Sequence, residues 1–157
     1  MDRVAMRILF VCNANIVRSF MAERILRNRI SQGGIKDVKV SSAGLLEMQG
    51  APADSIARQL LREHGIDDEG HRSRILDQEI VKNADLIVVM EQNQLERIGE
   101  QYPMAMTKVR LLKSYWADQG REYDAADVKD PYRRSLFHYR LCFSEISLAL
   151  EELLKCI

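Results

Sequence analysis

A cysteine, an arginine and a serine stand at positions 12, 18 and 19, where an apolar run gives way to a helical pattern. Ile8-Leu9-Phe10-Val11 reads as a buried strand, and Met21, Ala22, Ile25, Leu26 and Ile30 repeat at helical spacing. The segment between Cys12 and Arg18 (Asn13, Ala14, Asn15, Ile16 and Val17) is long enough to curl its backbone N–H groups around one tetrahedral anion. A helix beginning near Ser19 adds its positive dipole end to the same spot. Such surroundings favour a thiolate over a thiol, and a thiolate is a competent nucleophile toward phosphorus. Arg18 offers a planar fork for two phosphoryl oxygens, which lysine lacks. Asn15 tolerates a left-handed turn inside the loop, and Ser19 Oγ can donate to the sulfur. The spacing alone also describes a structural cysteine ending a strand, with Arg18 solvated in the next helical turn. The strand before the loop, the helix after it, and Asn15 and Ser19 within it favour the chemical reading.

Splitting a phosphate monoester is among the slowest of uncatalysed reactions, and positioning plus charge stabilisation cover only part of the barrier. A poor leaving oxygen also needs a proton, so a carboxylic acid must reach Cys12 from another loop. The charged stretch from Ala117 to Arg134 holds Asp118, Asp124, Asp127 and Asp130. Of these, Asp130-Pro131-Tyr132 is the best candidate. Pro131 stiffens the chain and keeps Asp130 extended, while Tyr132 can wall a ring-bearing substrate. An ordinary Asp-Pro turn would look the same. The histidines have plainer readings: His64 caps a helix before Gly65, and His71 and His138 are surface or packing residues. Met104 and Met106 read as core filler.

Positioning these groups falls to a chain of 157 residues, enough for one compact domain spanning 1–157. Its composition, 46% hydrophobic and 29% charged, is that of an ordinary globular protein, and its zero net charge gives no field to attract nucleic acid or an anionic membrane. Three scattered cysteines, Cys12, Cys142 and Cys156, form neither a disulfide framework nor a zinc spacing. The first apolar stretch is broken by Arg7 and stops at Cys12, too short for a signal segment or membrane span. A cytoplasmic location without membrane insertion is therefore expected.

Further strands are expected at Val38–Ser42, closing at Ala43-Gly44, at Leu86–Met90 and at Val109–Leu112. Helices are expected from near Ser19 (stopped by Gly33-Gly34), from Pro52 to Gly65, over Leu76–Val81, and around Leu95 and Ile98. A final amphipathic helix carries Leu141, Cys142, Ile146, Ala149, Leu150, Leu153 and Leu154. This alternation predicts an α/β fold, a four-stranded parallel sheet with helices on both faces. Ligands bind such sheets beyond the carboxyl ends of their strands, where Cys12 lies.

Taken together, these segments resemble the low-molecular-weight protein tyrosine phosphatases along nearly the whole chain. The family's loop, C-x-G-N-x-C-R-S-P, is similar to Cys12 through Phe20, followed here by Met21-Ala22-Glu23. Its S-A-G is Ser42-Ala43-Gly44, and its G-x-P-x-D-like segment runs from Gly50 to Asp54. Its H-x-x-R segment is His71 to Arg74, its third strand Asp85 to Met90, and its acid loop Asp130-Pro131-Tyr132. The resemblance implies Cys12 as nucleophile forming a phosphocysteine, Arg18 as phosphoryl ligand, and Asp130 as general acid and then base. Residues 13–19 would form the phosphate-binding loop, and Leu46 and Tyr132 would contact the substrate. It implies no metal and no cofactor.

Several positions depart from the family pattern. Ala14 replaces a glycine and would strain the loop if positive φ were needed there. Val17 replaces the second loop cysteine, Phe20 a proline, and Asn13 a residue that is often aliphatic. Leu45-Leu46-Glu47-Met48 lacks a common aromatic, and Arg133 stands where some members carry a second tyrosine. The Leu45 loop and the Asp130–Ser135 run look more like bacterial members that act on tyrosine kinases of polysaccharide export. A phosphotyrosine protein, such as a bacterial tyrosine kinase, is thus the implied partner. Two other functions fit parts of the pattern. A phosphotyrosine-binding module without catalysis would need no Asp130, and an arsenate reductase would need cysteines to relay a disulfide.

Overall fold

In the computed structural model, residues 5–117 and 127–157 are described. Four strands, β1 (Met6–Cys12), β2 (Val38–Gly44), β3 (Leu86–Val89) and β4 (Val109–Leu111), pair in parallel in the order β2-β1-β3-β4. Six helices accompany them: α1 (Arg18–Gln32), α2 (Ser55–Glu63), α3 (Gln78–Asn83), α4 (Gln92–Gln101), α5 (Ser114–Ala117) and α6 (Leu136–Leu154). A 3-10 turn, Pro103–Lys108, leads into β4.

The central strand explains the layering. β1 alternates its side chains between two separate apolar clusters, which is why its sequence is a continuous hydrophobic run. Ile8, Phe10 and Cys12 pack with α1, α2 and α6 on one face. Leu9 and Val11 pack with Val81, Ala84 and Ile98 of the α3–α4 side on the other. The predicted parallel sheet with helices on both faces is therefore observed. No helix among the described residues is long and apolar enough to cross a membrane.

Several boundaries differ from the sequence expectation. α2 starts at Ser55 rather than Pro52, because Asp54 is the N-cap and its Oδ2 accepts from Ile56 and Ala57 N–H, each at 3.1 Å. Pro52 instead lies in an isolated bridge with Arg72. α3 begins later than Leu76, because Asp77 caps it by accepting from Ile80 N–H at 2.8 Å. Met104 is not core filler: it is 92% exposed on the 3-10 turn, whereas Met106 packs against the second cluster. Leu141, expected on the buried face of α6, is 47% exposed, because the apolar face runs through Tyr139, Cys142, Ile146, Ala149 and Leu153. His64 does close α2, its Nδ1–H donating to Leu60 O at 2.8 Å while the ring stacks on Phe143. His138, by contrast, hydrogen-bonds the Ser135 hydroxyl on the surface. Asp118 and Asp124 lie outside the described residues.

Candidate active site

Cys12 ends β1 at the centre of the sheet, opposite Gly44 at the end of β2. The chain then turns through residues 13–17 and enters α1 at Arg18, one residue earlier than expected. No side chain caps α1. Among the described residues, none of the backbone N–H groups of residues 13–18 donates to a protein acceptor. Ser19 N–H points at the Cys12 sulfur, 3.5 Å away. Together, a run of unpaired amides and a helix N-terminus make a site for an oxyanion.

The back of the loop is held by a buried polar network centred on Asn15. Asn15 adopts φ +59°, the left-handed turn expected of it. Its amide nitrogen donates to Ser19 Oγ (2.8 Å) and Ser42 Oγ (2.9 Å), and its Oδ1 accepts from Arg74 N–H (3.1 Å). Ser42 Oγ in turn donates to Glu23 Oε1 at 3.1 Å. Ser19 Oγ, which accepts from Asn15, keeps its own hydrogen, and with Cys12 as a thiolate that hydrogen can only be donated to Sγ across the 3.0 Å contact. That polarity suits a sulfur anion, because the hydroxyl acts as donor and the sulfur as acceptor.

Two further supports escaped sequence reasoning. His71, expected as a surface or packing residue, donates its Nε2–H to Asn15 O at 2.6 Å and packs against Phe20, the rings tilted 43° with 4.7 Å between centroids. Burial holds its imidazole below the ordinary value. Gly44 is required by close approach: a Cβ there would lie 2.7 Å from Asn13 O. Neither contact leaves a local trace in the sequence, although the His-x-x-Arg and Ser-Ala-Gly segments mark both places.

Arg18 is 2% exposed in its side chain and firmly aimed. Its Nη1 donates to Val128 O at 2.8 Å and lies 3.1 Å from Glu91 Oε1. Nη2 sits 3.8 Å from Asp130 Oδ2. The Nε–Nη2 edge is left for two oxygens of a bound group. Glu91 was missed, although its place just after β3, at the carboxyl end of the sheet, is the signal that would have found it. Gln94, fully buried on α4, was also missed. Its Oε1 accepts from Met90 and Glu91 N–H, and its Nε2 donates to Asn13 Oδ1 at 3.1 Å.

Above the sulfur lies a cavity of ≈ 280 Å³ lined by Cys12, Asn13, Ala14, Ile16, Val17, Arg18, Leu46, Met48, Asp130 and Tyr132. The structure thus gathers Cys12, Arg18, Asp130, Leu46 and Tyr132 around one space, and adds Met48. Asn15 and Ser19 stand behind the cavity as its supports. Asp130 Oδ1 accepts from Tyr132 N–H at 3.0 Å, a turn that fixes the carboxyl at the rim, and Asp127 Oδ1 ties the same segment to Gln92 N–H at 2.8 Å. Ala14 is absent from the residues with positive φ, so the loop carries no strain there. Phe20 and Val17 are both buried. Chemically, the arrangement can hold a tetrahedral anion against a sulfur nucleophile with an acid opposite.

Comparison with known proteins agrees with this geometry. The family model "Low molecular weight phosphotyrosine protein phosphatase" matches residues 7–157. The Escherichia coli K12 low molecular weight protein-tyrosine-phosphatase Wzb is 38% identical over 128 residues, covering 82% of this chain and 79% of that protein. The low molecular weight protein tyrosine phosphatase of T. tengcongensis superposes with a TM-score of 0.87 at 36% identity, covering 98% and 100% of the two chains. The YwlE arginine phosphatase of Geobacillus stearothermophilus superposes with a TM-score of 0.83 at 32% identity, covering 94% and 90%.

Proposed function

Since the chain belongs to the low-molecular-weight phosphotyrosine protein phosphatases, we propose that residues 1–157 act as one catalytic unit hydrolysing phosphotyrosine in proteins through a phosphocysteine. In the first step the Cys12 thiolate attacks phosphorus, and the bond from phosphorus to the phenolic oxygen breaks. Asp130 gives its proton to the departing phenolate. Arg18 and the amides of residues 13–18 take up charge on the three non-bridging oxygens. In the second step the Asp130 carboxylate removes a proton from water, which displaces the sulfur and releases inorganic phosphate.

The observation that carries this reading is the 3.0 Å contact of the Ser19 hydroxyl with Cys12 Sγ, at the floor of a cavity whose rim holds Asp130. The walls favour an aryl ester over the phosphoguanidine of an arginine phosphatase. Ile16, Leu46, Met48 and Tyr132 offer apolar contact to a ring, and among the described residues Asp130 is the sole carboxylate lining the cavity. A guanidinium would need further acidic partners. The natural substrate is then a phosphotyrosine protein, with a bacterial tyrosine kinase as the candidate suggested by the Leu45 loop and the run after Asp130.

Turnover of matched phosphotyrosine and phosphoarginine peptides tests the proposal, with acid-quench trapping of phosphate on Cys12. Preferential phosphotyrosine cleavage, a trapped phosphocysteine and an inert Cys12→Ser variant are expected. Full activity in Cys12→Ser, or preference for phosphoarginine, overturns it.

A further inference from the structure

A second cavity, of ≈ 620 Å³, opens along the outer edge of β2, away from Cys12. Its rim carries Arg7, Arg27, Lys39 and Arg74, and among the described residues no aspartate or glutamate lines it. In a chain with equal numbers of acids and bases, that is a local excess of positive charge. Two of the cations are anchored by neutral groups. Arg27 Nε and Nη2 donate to Val40 O at 3.1 and 2.9 Å, and Arg74 Nε donates to Ser42 O at 2.9 Å. Carbonyls orient the guanidinium groups without cancelling their charge. Arg27 is also ion-paired with Glu23 at 3.6 Å, a carboxylate shared with Arg24 at 3.0 Å, and the Asp85 carboxylate accepts from the Arg7 backbone N–H at 2.7 Å. Arg7, Lys39 and Arg74 form no ion pair among the described residues.

The same hydrogen bonds exclude one class of occupant. An edge strand invites pairing by another strand through its outward carbonyls. Here the outward carbonyls of Val40 and Ser42 are taken by arginine, so an added β-strand is blocked at those positions. What the cleft still offers is cationic rim charge, neutral donors from Ser31, Ser41 and Asn83, and an apolar floor. Its volume is that of a small-molecule site.

We infer that this cleft binds a small organic phosphate carrying two or more negative charges, its anionic part on Arg7 and Lys39, which pair across β1 and β2, and its apolar part on Leu9, Ile80 and Ala84 of the same sheet face. The site is separate from the catalytic cavity, with which it shares no lining residue.

The test titrates pyrophosphate and adenosine diphosphate into protein whose Cys12 has been carboxymethylated, so that the catalytic loop is blocked. The amide resonances of Lys39 and Ser41 are followed by NMR. Saturable shifts there are expected, tighter for adenosine diphosphate than for pyrophosphate and weakening as salt is raised. The double variant Arg7→Glu, Lys39→Glu should weaken binding by at least about tenfold, one factor of ten being about 1.4 kcal/mol, while aryl phosphatase activity is kept. The Lys39→Gln variant should give a smaller loss and serves as control should the double variant fold poorly. Arg74 is not varied, because its main chain supports Asn15. Shifts confined to residues 12–19, shifts that never saturate, or affinity unchanged by Lys39→Gln and by the double variant would overturn the inference.

Discussion

Replacing Asn15 by alanine would remove three side-chain hydrogen bonds from a fully buried position, those to Ser19, Ser42 and the Arg74 N–H. At about 1 kcal/mol each, their loss costs roughly 3 kcal/mol. Alanine must also hold the left-handed backbone of φ +59°, which adds about 1 kcal/mol or more for a residue with a Cβ and no local hydrogen bond to offset it. Glycine at the same place loses the same hydrogen bonds but escapes the steric cost. Asn15→Gly should therefore be less stable than the parent by about 3 kcal/mol, a fall in Tm of roughly 6–12 °C at this chain length. Asn15→Ala should lie about 1 kcal/mol lower again. Urea unfolding, read as a shift in midpoint at constant slope, separates the two contributions. Both variants should also lose turnover, because Ser19 no longer has its hydroxyl oriented toward Cys12. An Asn15→Ala protein as stable as the parent, or more stable than Asn15→Gly, would refute the reasoning.

Asp130→Asn should lower kcat for phenyl phosphate by roughly 10²–10⁴-fold, and much less for an aryl phosphate with an activated leaving group; equal losses on the two substrates would count against a proton donor. Alkylation by iodoacetate at neutral pH should modify Cys12 and the exposed Cys156 and spare Cys142, whose thiol burial pushes up to about 12; peptide mass mapping reads the pattern. The His71 ring should titrate below the ordinary imidazole value of about 6.5, because burial disfavours its charged form. Its depressed value means the stability it contributes is complete above about 6.5 and is lost as pH falls through the folded value. NMR titration gives the midpoint, and the urea midpoint should drop between pH 7.5 and the acid side of that titration.

Features encoded by neighbouring residues were legible, and features encoded by distant ones were not. The strand before Cys12 could be read because both its faces are buried, so a run of apolar residues has no competing explanation. Asn15 could be read because few residue types accept a left-handed turn. The start of α2 was misplaced because two local signals compete, a proline suited to a first turn and an aspartate suited to a cap. Asp54 prevails through two backbone N–H groups that Pro52 cannot serve. Glu91, His71 and Gln94 act on residues of the loop from far along the chain; Glu91 and Gln94 meet their partners only once β1 and β3 lie side by side, and His71 only once its segment bridges back to Pro52 and Gly44. Val128 contributes a carbonyl, which no side-chain pattern can reveal. Met104 shows the converse error, an apolar residue type whose turn leaves it in solvent.

The charges around the cavity do not sum to an attraction for a phosphate dianion. Arg18 brings one positive charge, but Glu91 lies 3.1 Å from its Nη1 and Cys12 is to act as an anion, so even with Asp130 protonated as the donor no positive charge is left over. Net charge therefore cannot be what holds the phosphoryl group. What remains are neutral dipoles, namely the unpaired amides of residues 13–18, the uncapped start of α1 and the Ser19 hydroxyl. These are fixed in place by Asn15, His71 and Gly44 before any substrate arrives, so little reorganisation is required at the transition state. Glu91 then has a role beyond neutralisation. Together with Val128 O it occupies one edge of the guanidinium, so that the other edge faces the loop in a single orientation. A lysine could supply the charge of Arg18 but not that division into an anchored edge and a working edge. The family motif is thus only half of the device, and the other half is the set of distant residues that keep its dipoles pointing one way.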